Sequence, residues 1–260
     1  MKVSIVGAGN VATRLGLGLR EAGGEVVGVW SRRAEAARTL AAALDVPAAA
    51  DIADLPQADV CLLAVKDDAV RSVAERVAAA QPGAILAHTA GSVPLSVFDG
   101  LGRDCGVIYP LQTFSKARPV ALRDVPFFLE ASSEMALHTL RKLAGKLSGS
   151  VTLLDSAQRA RLHLAAVFAN NFANHCFALA ADLLRAEGLD ETLLHPLIRE
   201  TADKALSLPA REAQTGPAVR FDAAVLERQA AILANRPTLQ QIYRLMSSSI
   251  HELAAHDSSE

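Results

Sequence analysis

The chain has 260 residues, enough to bury a sizeable core in one large domain or two small ones. Hydrophobic residues make up 51% of the chain and charged residues 21%, which is typical of a soluble globular protein. A net charge of −2 excludes a strong overall attraction to nucleic acid or to an anionic membrane.

Strand and helix patterns alternate over the first part of the chain. This alternation predicts βαβ units and therefore a doubly wound, mainly parallel sheet. The predicted strands are residues 3–6, 26–30, 60–65, 84–87, 107–109, 126–129 and 151–154. The predicted helices between them are residues 11–22, 33–44, 68–79 and 134–147.

The pattern changes at Asp155, after which only helices are predicted. Asp155 or Ser156 is a good N-cap for a helix that ends near Gly188. Further helices are expected over 191–206, 223–233 and 239–255. We therefore expect an α/β Rossmann domain over 1–154 and an all-helical domain over 155–260.

The cysteines and the N-terminal segment predict a cytoplasmic protein. Cys61, Cys105 and Cys176 are widely spaced and form no C-x-x-C pair, so we expect reduced thiols and no metal site. The first apolar run is too short for a signal peptide. The sequence contains no stretch of about eighteen apolar residues, so we expect no membrane-spanning helix.

A dinucleotide-binding fingerprint, G-x-G-x-x-A, follows the first predicted strand. Gly7 permits a tight turn, Gly9 lets the backbone approach a pyrophosphate, and Ala12 allows close packing of helix and strand. The alternative is a glycine turn in an α/β domain that binds no nucleotide. The cofactor-binding residues predicted here are Gly7, Ala8, Gly9, Asn10 and Val11.

The end of the second strand favours NADP(H) over NAD(H). An NAD-preferring site places Asp or Glu here, whereas this chain has Ser31, Arg32 and Arg33. Guanidinium groups match phosphate oxygens, so these residues are predicted to hold a 2′-phosphate. The alternative is that both arginines are solvated residues at the start of the next helix.

Several segments together resemble a known family. They are GAGNVA (7–12), LAVKDDAV (63–70), HTAGS (88–92), YPLQTFS (109–115), HLAAVFANNFANH (163–175) and QTGPAVRFD (214–222). The chain resembles bacterial Rossmann-like oxidoreductases whose C-terminal domain has no known function. These belong among the 6-phosphogluconate dehydrogenase-like proteins, with pyrroline-5-carboxylate reductase, prephenate dehydrogenase and deazaflavin-dependent NADP reductases as relatives.

The resemblance implies where a cofactor and a substrate would bind. It places the nicotinamide along Ala64, Val65 and Lys66 and along the segment from His88 to Ser92. It also implies an interdomain cleft, closed by the long helix, and a homodimer built through the helical domain.

Two departures from the relatives limit the chemistry. Prephenate dehydrogenases carry a catalytic histidine at the position of Tyr109, so a histidine mechanism there is excluded. Hydroxyacid dehydrogenases carry a lysine and an asparagine where this chain has His163 and Val167. The missing pair argues against simple hydroxyacid dehydrogenase chemistry.

Polar side chains lie on the otherwise apolar long helix. At about 100° per residue, Asn170 and Asn174 fall within about 20° of His163, whereas Asn171 lies roughly 80° away. The resemblance points instead to Asn171 and Asn174, so the choice between Asn170 and Asn171 stays open. Buried asparagines need partners, and these could orient a substrate or cap backbone groups in a helical core.

His163 is the candidate general acid of the helical domain, with a satisfied core histidine as the alternative. His88, Ser92 and Gln112 are predicted to support it near the strand ends, although His88 could instead brace the turn that follows it. Arg220 could bind a substrate carboxylate or pair with Asp222.

The sequence therefore predicts an NADP(H)-dependent oxidoreductase acting on a small polar carbonyl, imine or hydroxy compound. Two alternatives remain: an NADP(H)-binding sensor without turnover, and a reductase with a flavin or deazaflavin as second substrate. The predicted partners are a small-molecule substrate and a second copy of the chain, without nucleic acid or membrane.

Overall fold

The computed structural model describes residues 1–115 and 117–257, except for the side chains of His256 and Asp257. A seven-stranded sheet has the order β2-β1-β3-β4-β5-β6-β7. The strands are β1 (Lys2–Val6), β2 (Glu25–Trp30), β3 (Val60–Leu63), β4 (Ile85–His88), β5 (Cys105–Pro110), β6 (Phe127–Ala131) and β7 (Val151–Leu153). The helices between them are α1 (Asn10–Glu21), α2 (Ala34–Leu44), α3 (Val70–Ala80) and α4 (Glu134–Leu147).

All neighbouring strands pair in parallel except β5 and β6, which are antiparallel. The central strands β3, β4 and β5 are buried throughout, as expected of apolar strands covered on both faces. β1 lies between β2 and β3, so the strand order reverses beside it. Ligands of such sheets bind at the carboxyl ends of the strands next to this reversal, and the site described below lies there.

Helices cover both faces of the sheet. Leu15 and Leu19 of α1 share a buried cluster with Leu140 of α4, whereas Val70 and Val77 of α3 lie in a separate cluster. Alternate residues of each central strand point into these two clusters because side chains alternate along a strand. Buried side chains therefore pack against both faces of the Rossmann sheet.

A long helix follows β7 in three parts: α5 (Ser156–Ala166), a π-helical segment (Val167–Phe172) and α6 (Ala173–Ala186). Asp155 caps it, because its side chain accepts the N–H of Gln158 while the Gln158 side chain accepts the N–H of Asp155. The chain divides into two compact units, Met1–Asn171 and Phe172–Glu260.

The second unit contains α6, α7 (His195–Ser207), α8 (Ala223–Ile232) and α9 (Pro237–Asp257). Gly188 has a φ of 70° and terminates the long helix. Of the described residues in this unit, only Ala218, Ala230 and Leu233 are buried. Apolar side chains in these helices are therefore largely exposed within one chain.

The predicted fold class is confirmed: a Rossmann-like, mainly parallel sheet is followed by helices. The strand predicted over 60–65 ends at Leu63, and the helix predicted from 68 begins at Val70 because Asp67–Ala69 form a 3₁₀ turn. The predicted domain boundary at 154/155 coincides with the start of the long helix, whereas the compact units divide inside that helix.

Candidate active site and cofactor cleft

The turn after β1 leaves the N-terminus of α1 open. Gly7 has a φ of 122°, and a Cβ there would lie 2.2 Å from the carbonyl oxygen of Ala64. Gly9 is the N-cap of α1 without a side-chain cap, and a Cβ there would meet nothing within 4 Å. The N–H groups of the first turn therefore remain available to a phosphate.

Cationic side chains gather at the end of β2. Arg32 and Arg33 are exposed, and Arg76 stacks over the ring of Trp30 at 5.2 Å. Among the described residues, no carboxylate lines the adjoining cleft of about 590 Å³. This charge pattern fits a 2′-phosphate. The predicted cofactor residues that line the cleft are Gly7, Ala8, Gly9, Ser31, Arg32, Arg33, Ala64, Val65 and Lys66.

The other predicted cofactor residues have partners elsewhere. The side-chain amide of Asn10 donates to the carbonyl of Phe114 at 2.8 Å, and Val11 packs against the sheet core. Ser92 is exposed and donates to the carboxylate of Asp67. Asn10, Val11 and Ser92 therefore do not line the 590 Å³ cleft.

His88 lies at the end of β4 and is fully buried. Its Nδ1 accepts the backbone N–H of Ala90 at 3.2 Å, and its buried Nε2 has no hydrogen-bond partner among the described residues. Burial lowers the pKa of His88 to about 3, and the cation of Arg159 contributes in the same direction. His88 is therefore neutral near pH 7 and braces the turn after β4.

Tyr109 and His163 form a hydrogen-bonded pair. The phenol oxygen of Tyr109 lies 3.0 Å from Nδ1 of His163, and the two rings meet edge to face with centroids 5.8 Å apart. Gly91 makes room for this contact, because a Cβ there would lie 2.6 Å from Nδ1 of His163. Burial raises the pKa of the Tyr109 phenol, partly offset by the cation of Arg159.

A cleft of about 410 Å³ opens beside this pair, within the range of small-molecule sites. Leu111 follows β5, and Leu162 and Val167 come from the long helix to form part of its apolar lining. Four of the six predicted catalytic residues line it. The polar residues of the lining are Tyr109, Gln112, Thr113, His163, Asn170 and Asn171.

An ion pair anchors the helix that carries His163. Arg159 is 1% exposed, pairs with Glu130 of β6, and donates to the carbonyl of Val93 at 2.5 Å. Ser156 donates to Glu130 and accepts the N–H of Leu95 at 2.9 Å. The first turn of α5 is thereby tied to β6 and to the segment after β4, one turn before His163.

Asn170 and Asn171 both lie in the π-helical segment and both line the 410 Å³ cleft. The side-chain amide of Asn170 lies 3.4 Å from Oδ1 of Asn171. A π-helical turn is wider than an α-helical turn, so the regular 100° spacing assumed from sequence does not hold across 167–172. Asn174 is an exposed residue of α6, in the second compact unit, and its catalytic role stays a prediction.

Other candidates for binding chemistry are few. The described residues contain no group of three His, Cys, Asp or Glu side chains placed to hold a metal ion. Cys61 and Cys105 are buried and Cys176 is half-buried, all as free thiols. Asp222 caps α8 by accepting the N–H of Val225, and Arg220 is exposed.

Two family models match the chain. A model described as NADP oxidoreductase, coenzyme F420-dependent, matches residues 2–90, and a domain of unknown function, DUF2520, matches residues 125–250. The first match agrees with the Rossmann sheet and its glycine turn and indicates the class of NADP oxidoreductases. No curated protein matches the sequence at a significant level.

Solved structures narrow the class to a family. A protein from Bacteroides fragilis described as a "putative NADP oxidoreductase" is 42% identical, with 96% of this chain and 98% of that chain covered and a TM-score of 0.92. The chain therefore belongs to this family of NADP oxidoreductases with a DUF2520 domain. A Thermotoga maritima protein is 26% identical, with 97% and 99% covered and a TM-score of 0.76.

The fold extends to more distant structures. An imine reductase from Myxococcus stipitatus in complex with NADP⁺ is 17% identical, with 98% of this chain and 95% of that chain covered and a TM-score of 0.68. This likeness shows the shared fold.

Sequence reasoning did not select Tyr109, Glu130 or Arg159 as site residues. A hydroxyl group directly before Pro110, where prephenate dehydrogenases have a histidine, was the available signal for Tyr109. Arg159 stands four residues before His163 on the predicted helix, which places both on one face. The partner of Arg159 on β6 is visible only in the folded chain.

Proposed function

We propose that the protein is an NADP(H)-dependent oxidoreductase that interconverts a small carbonyl, imine or hydroxy compound with its reduced or oxidised form. The observation that carries this proposal is the Tyr109–His163 pair beside a cleft of about 410 Å³. A positioned phenol and imidazole are the groups that move a proton when hydride transfer places charge on a substrate atom. The family of NADP oxidoreductases supports the cofactor.

The residues at the strand ends fit NADP(H). The N–H groups after Gly7 and Gly9 would hold the pyrophosphate, and Ser31, Arg32 and Arg33 would hold the 2′-phosphate. When bound, the nicotinamide supplies or accepts the hydride.

Tyr109 is placed to handle the proton. Because burial raises the pKa of its phenol, Tyr109 keeps its proton near neutral pH and can donate it to a substrate atom that gains negative charge. Nδ1 of His163, 3.0 Å from the phenol oxygen, is placed to return a proton to Tyr109. In the oxidation direction the same two groups accept the proton.

The neutral side chains of the cleft would orient the substrate. The amides of Gln112, Asn170 and Asn171 and the hydroxyl of Thr113 offer both donors and acceptors to a polar atom. Holding that atom near Tyr109 supplies the proximity that converts binding into rate. Arg159 and Glu130 do not line the cleft; their ion pair holds the helical turn before His163 in position.

The experiment that tests this function compares NADPH oxidation by the wild-type protein and by Tyr109→Phe, with a panel of small aldehydes, ketones and cyclic imines. We expect kcat to fall by about 100-fold or more, because general acid catalysis is lost, while the affinity for NADPH stays unchanged.

The matched control is Tyr243→Phe, since Tyr243 is the second tyrosine of the chain and donates to Gln229 in the helical unit. We expect Tyr243→Phe to keep the wild-type rate. A Tyr109→Phe variant as fast as the wild type, or a wild-type protein that oxidises NADPH with no member of the panel, would contradict the proposal.

We also propose that the protein acts as a cytoplasmic homodimer. Leu193, Leu197 and Leu206 of the helical unit are each at least 63% exposed in one chain, and only three of its described residues are buried. Large exposed apolar surfaces mark sites of interaction. Because most oligomers are built from copies of one chain, a second copy is the expected cover for this surface. Sedimentation of the purified protein measures the oligomeric state.

A membrane is the other possible cover for an apolar helix. By length and composition one helix of the described chain, Ser156–Ala186, could cross a bilayer, with a mean hydropathy of 1.2 over its most apolar window and none of that window buried. The same helix carries His163, Asn170, Asn171 and His175, which are costly in lipid. These polar groups favour a second copy over a bilayer.

A further inference from the structure

We propose that the substrate of the 410 Å³ cleft is an uncharged carbonyl compound, or its alcohol, with an apolar substituent and no acidic group. This inference rests on the proposed function and narrows its substrate class. It excludes oxo acids, phosphorylated carbonyl compounds and cationic iminium ions as preferred substrates.

The described residues that line the cleft carry no permanent charge. Its polar groups are one phenol, one imidazole, three carboxamides and one hydroxyl, and its remaining residues are leucine, alanine and valine. Among the described residues, no lysine, arginine, aspartate or glutamate lines it. A carboxylate or phosphate bound here would find hydrogen-bond donors but no opposite charge.

The cation whose charge acts on Tyr109 is already engaged. Arg159 is 1% exposed, pairs with Glu130 and donates to the carbonyl of Val93. Releasing its guanidinium toward a substrate anion would leave the largely buried Glu130 carboxylate without its partner, which is strongly unfavourable. Arg159 therefore supports the helix and does not bind a substrate anion.

Among the described residues, no carboxylate lines the cleft, and this favours carbonyl substrates over iminium ions. An iminium ion brings a positive charge, which a neutral, partly apolar cleft does not stabilise. A ketone or aldehyde brings none, and its reduction creates negative charge on the oxygen. The hydride forms the new C–H bond, the C=O π electrons move to oxygen, and the Tyr109 hydroxyl supplies the proton that gives the alcohol.

The apolar residues define the rest of the substrate. Leu111 and Leu162 belong to the lining. Contact with these leucines favours a hydrocarbon substituent over a polar substituent, because burial of apolar surface is favourable. A cyclic or branched aliphatic ketone has both the polar atom for Tyr109 and the apolar surface for these side chains.

Binding to non-reacting complexes tests the inference without relying on turnover. We would titrate methyl 4-hydroxycyclohexane-1-carboxylate and the free acid, 4-hydroxycyclohexane-1-carboxylate, into protein saturated with NADPH, whose nicotinamide ring is uncharged, and measure affinity by calorimetry. Cyclohexanol and cyclohexylammonium would be titrated in the same way into protein saturated with NADPH. We expect the neutral member of each pair to bind about 30-fold to 100-fold more tightly, because the charged member loses hydration without gaining a counter-charge.

A variant that adds a charge provides a second, independent measurement. Thr113→Arg should raise the affinity for the free acid at least tenfold relative to Thr113→Gln, which adds length and polarity but no charge. An acid or ammonium probe that binds wild-type protein as tightly as its neutral partner overturns the inference, and so does failure of both neutral probes to bind. If the neutral probes bind selectively but NADPH never reduces the corresponding ketones, the inference stands and the proposed function is contradicted instead.

Discussion

The two compact units differ sharply in how much core each contains. In the first unit, residues from β1 to α4 build buried clusters on both faces of the sheet, with Val6, Val60 and Leu140 fully buried. In the second unit, of the residues that the structure describes, only Ala218, Ala230 and Leu233 are buried. The first unit therefore carries its own core and the candidate site, whereas the second buries few of its described residues within one chain.

Because the two units differ in buried core, mutations in each unit should affect different properties of the protein. Substitutions at the strand ends of the first unit should affect cofactor binding, proton transfer or the packing of the residues below the strand ends. If the second unit forms the proposed dimer, substitutions of its exposed apolar residues should weaken that dimer, because an apolar side chain contributes to stability only when it is removed from water.

The largest expected effect is on assembly. Leu197 of α7 is 63% exposed in one chain, and Leu197→Glu would place a carboxylate in the proposed contact between copies. We expect the dimer dissociation constant to rise by about 100-fold, equivalent to about 3 kcal/mol, as measured by analytical ultracentrifugation. NADPH should still bind to the first unit.

Arg199→Glu is the matched control, because Arg199 is an exposed polar residue of the same helix. It should leave the oligomeric state unchanged. A wild-type protein that sediments as a monomer would contradict the proposed dimer. A Leu197→Glu variant that dimerises normally would show that Leu197 does not lie in the contact between copies.

The next effect concerns the Tyr109–His163 contact. A Cβ at Gly91 would lie 2.6 Å from Nδ1 of His163 and 2.9 Å from Cζ of Tyr109, so Gly91→Ala must separate the two rings. We expect kcat to fall by about 100-fold, near 3 kcal/mol in the activation free energy, with little change in NADPH affinity. Steady-state kinetics and a cofactor titration measure both quantities.

Gly145→Ala provides the comparison, since a Cβ at Gly145 in α4 meets nothing within 4 Å. It should retain full activity and be neutral or slightly stabilising, as expected for alanine in a helix. Equal rates for Gly91→Ala and the wild type would show that the pair does not contribute to turnover.

Acid should weaken the first unit through His88. Its folded-state pKa, about 3, lies below the ordinary value of 6.5, so below pH 6.5 the unfolded chain binds a proton that the folded chain excludes. The free energy of unfolding should therefore fall as the pH decreases from 6.5 toward 3. The His88 contribution amounts to about 2 kcal/mol at pH 5.

Denaturant unfolding at pH 7 and pH 5 measures this loss for the wild type and for His88→Gln. The variant is less stable at pH 7 but should show a smaller decrease at pH 5, because glutamine does not titrate. The same decrease in both proteins would mean that other groups cause the acid sensitivity.

The smallest expected effect is on cofactor choice. Arg32→Ala removes one of the two exposed guanidinium groups at the end of β2. We expect NADPH to bind about tenfold more weakly and NADH to be unaffected, because only NADPH carries the 2′-phosphate. Arg38→Ala, at a 68% exposed arginine of α2 outside the cleft, is the control for lost surface charge. Calorimetric titration that finds equal losses for both nucleotides would contradict a 2′-phosphate contact.

Local patterns were sufficient to predict most of the fold. The apolar runs of β1, β3 and β4 and the helix Glu134–Leu147 follow directly from residue type and spacing, because each element buries its apolar face against the sheet. The glycine turn after β1 was likewise predictable, since only glycine suits the φ of Gly7.

The candidate site was less predictable because it depends on contacts between distant segments. His163 was identified from its residue type, but its partner Tyr109 lies 54 positions away and comes close only through the sheet and the Gly91 turn. His88 was expected among the reacting groups, yet its depth of burial, which keeps it neutral, is a property of the packed chain.

The π-helical segment Val167–Phe172 lets the long helix carry one extra residue. A π-helical turn holds roughly one residue more than an α-helical turn, so deleting one residue within 167–172 would restore a regular helix and leave the faces of α6 in place. The same deletion within α6 would instead rotate every later side chain by about 100° around the axis. Family members are therefore expected to tolerate a one-residue difference in length inside this segment better than anywhere else along the long helix.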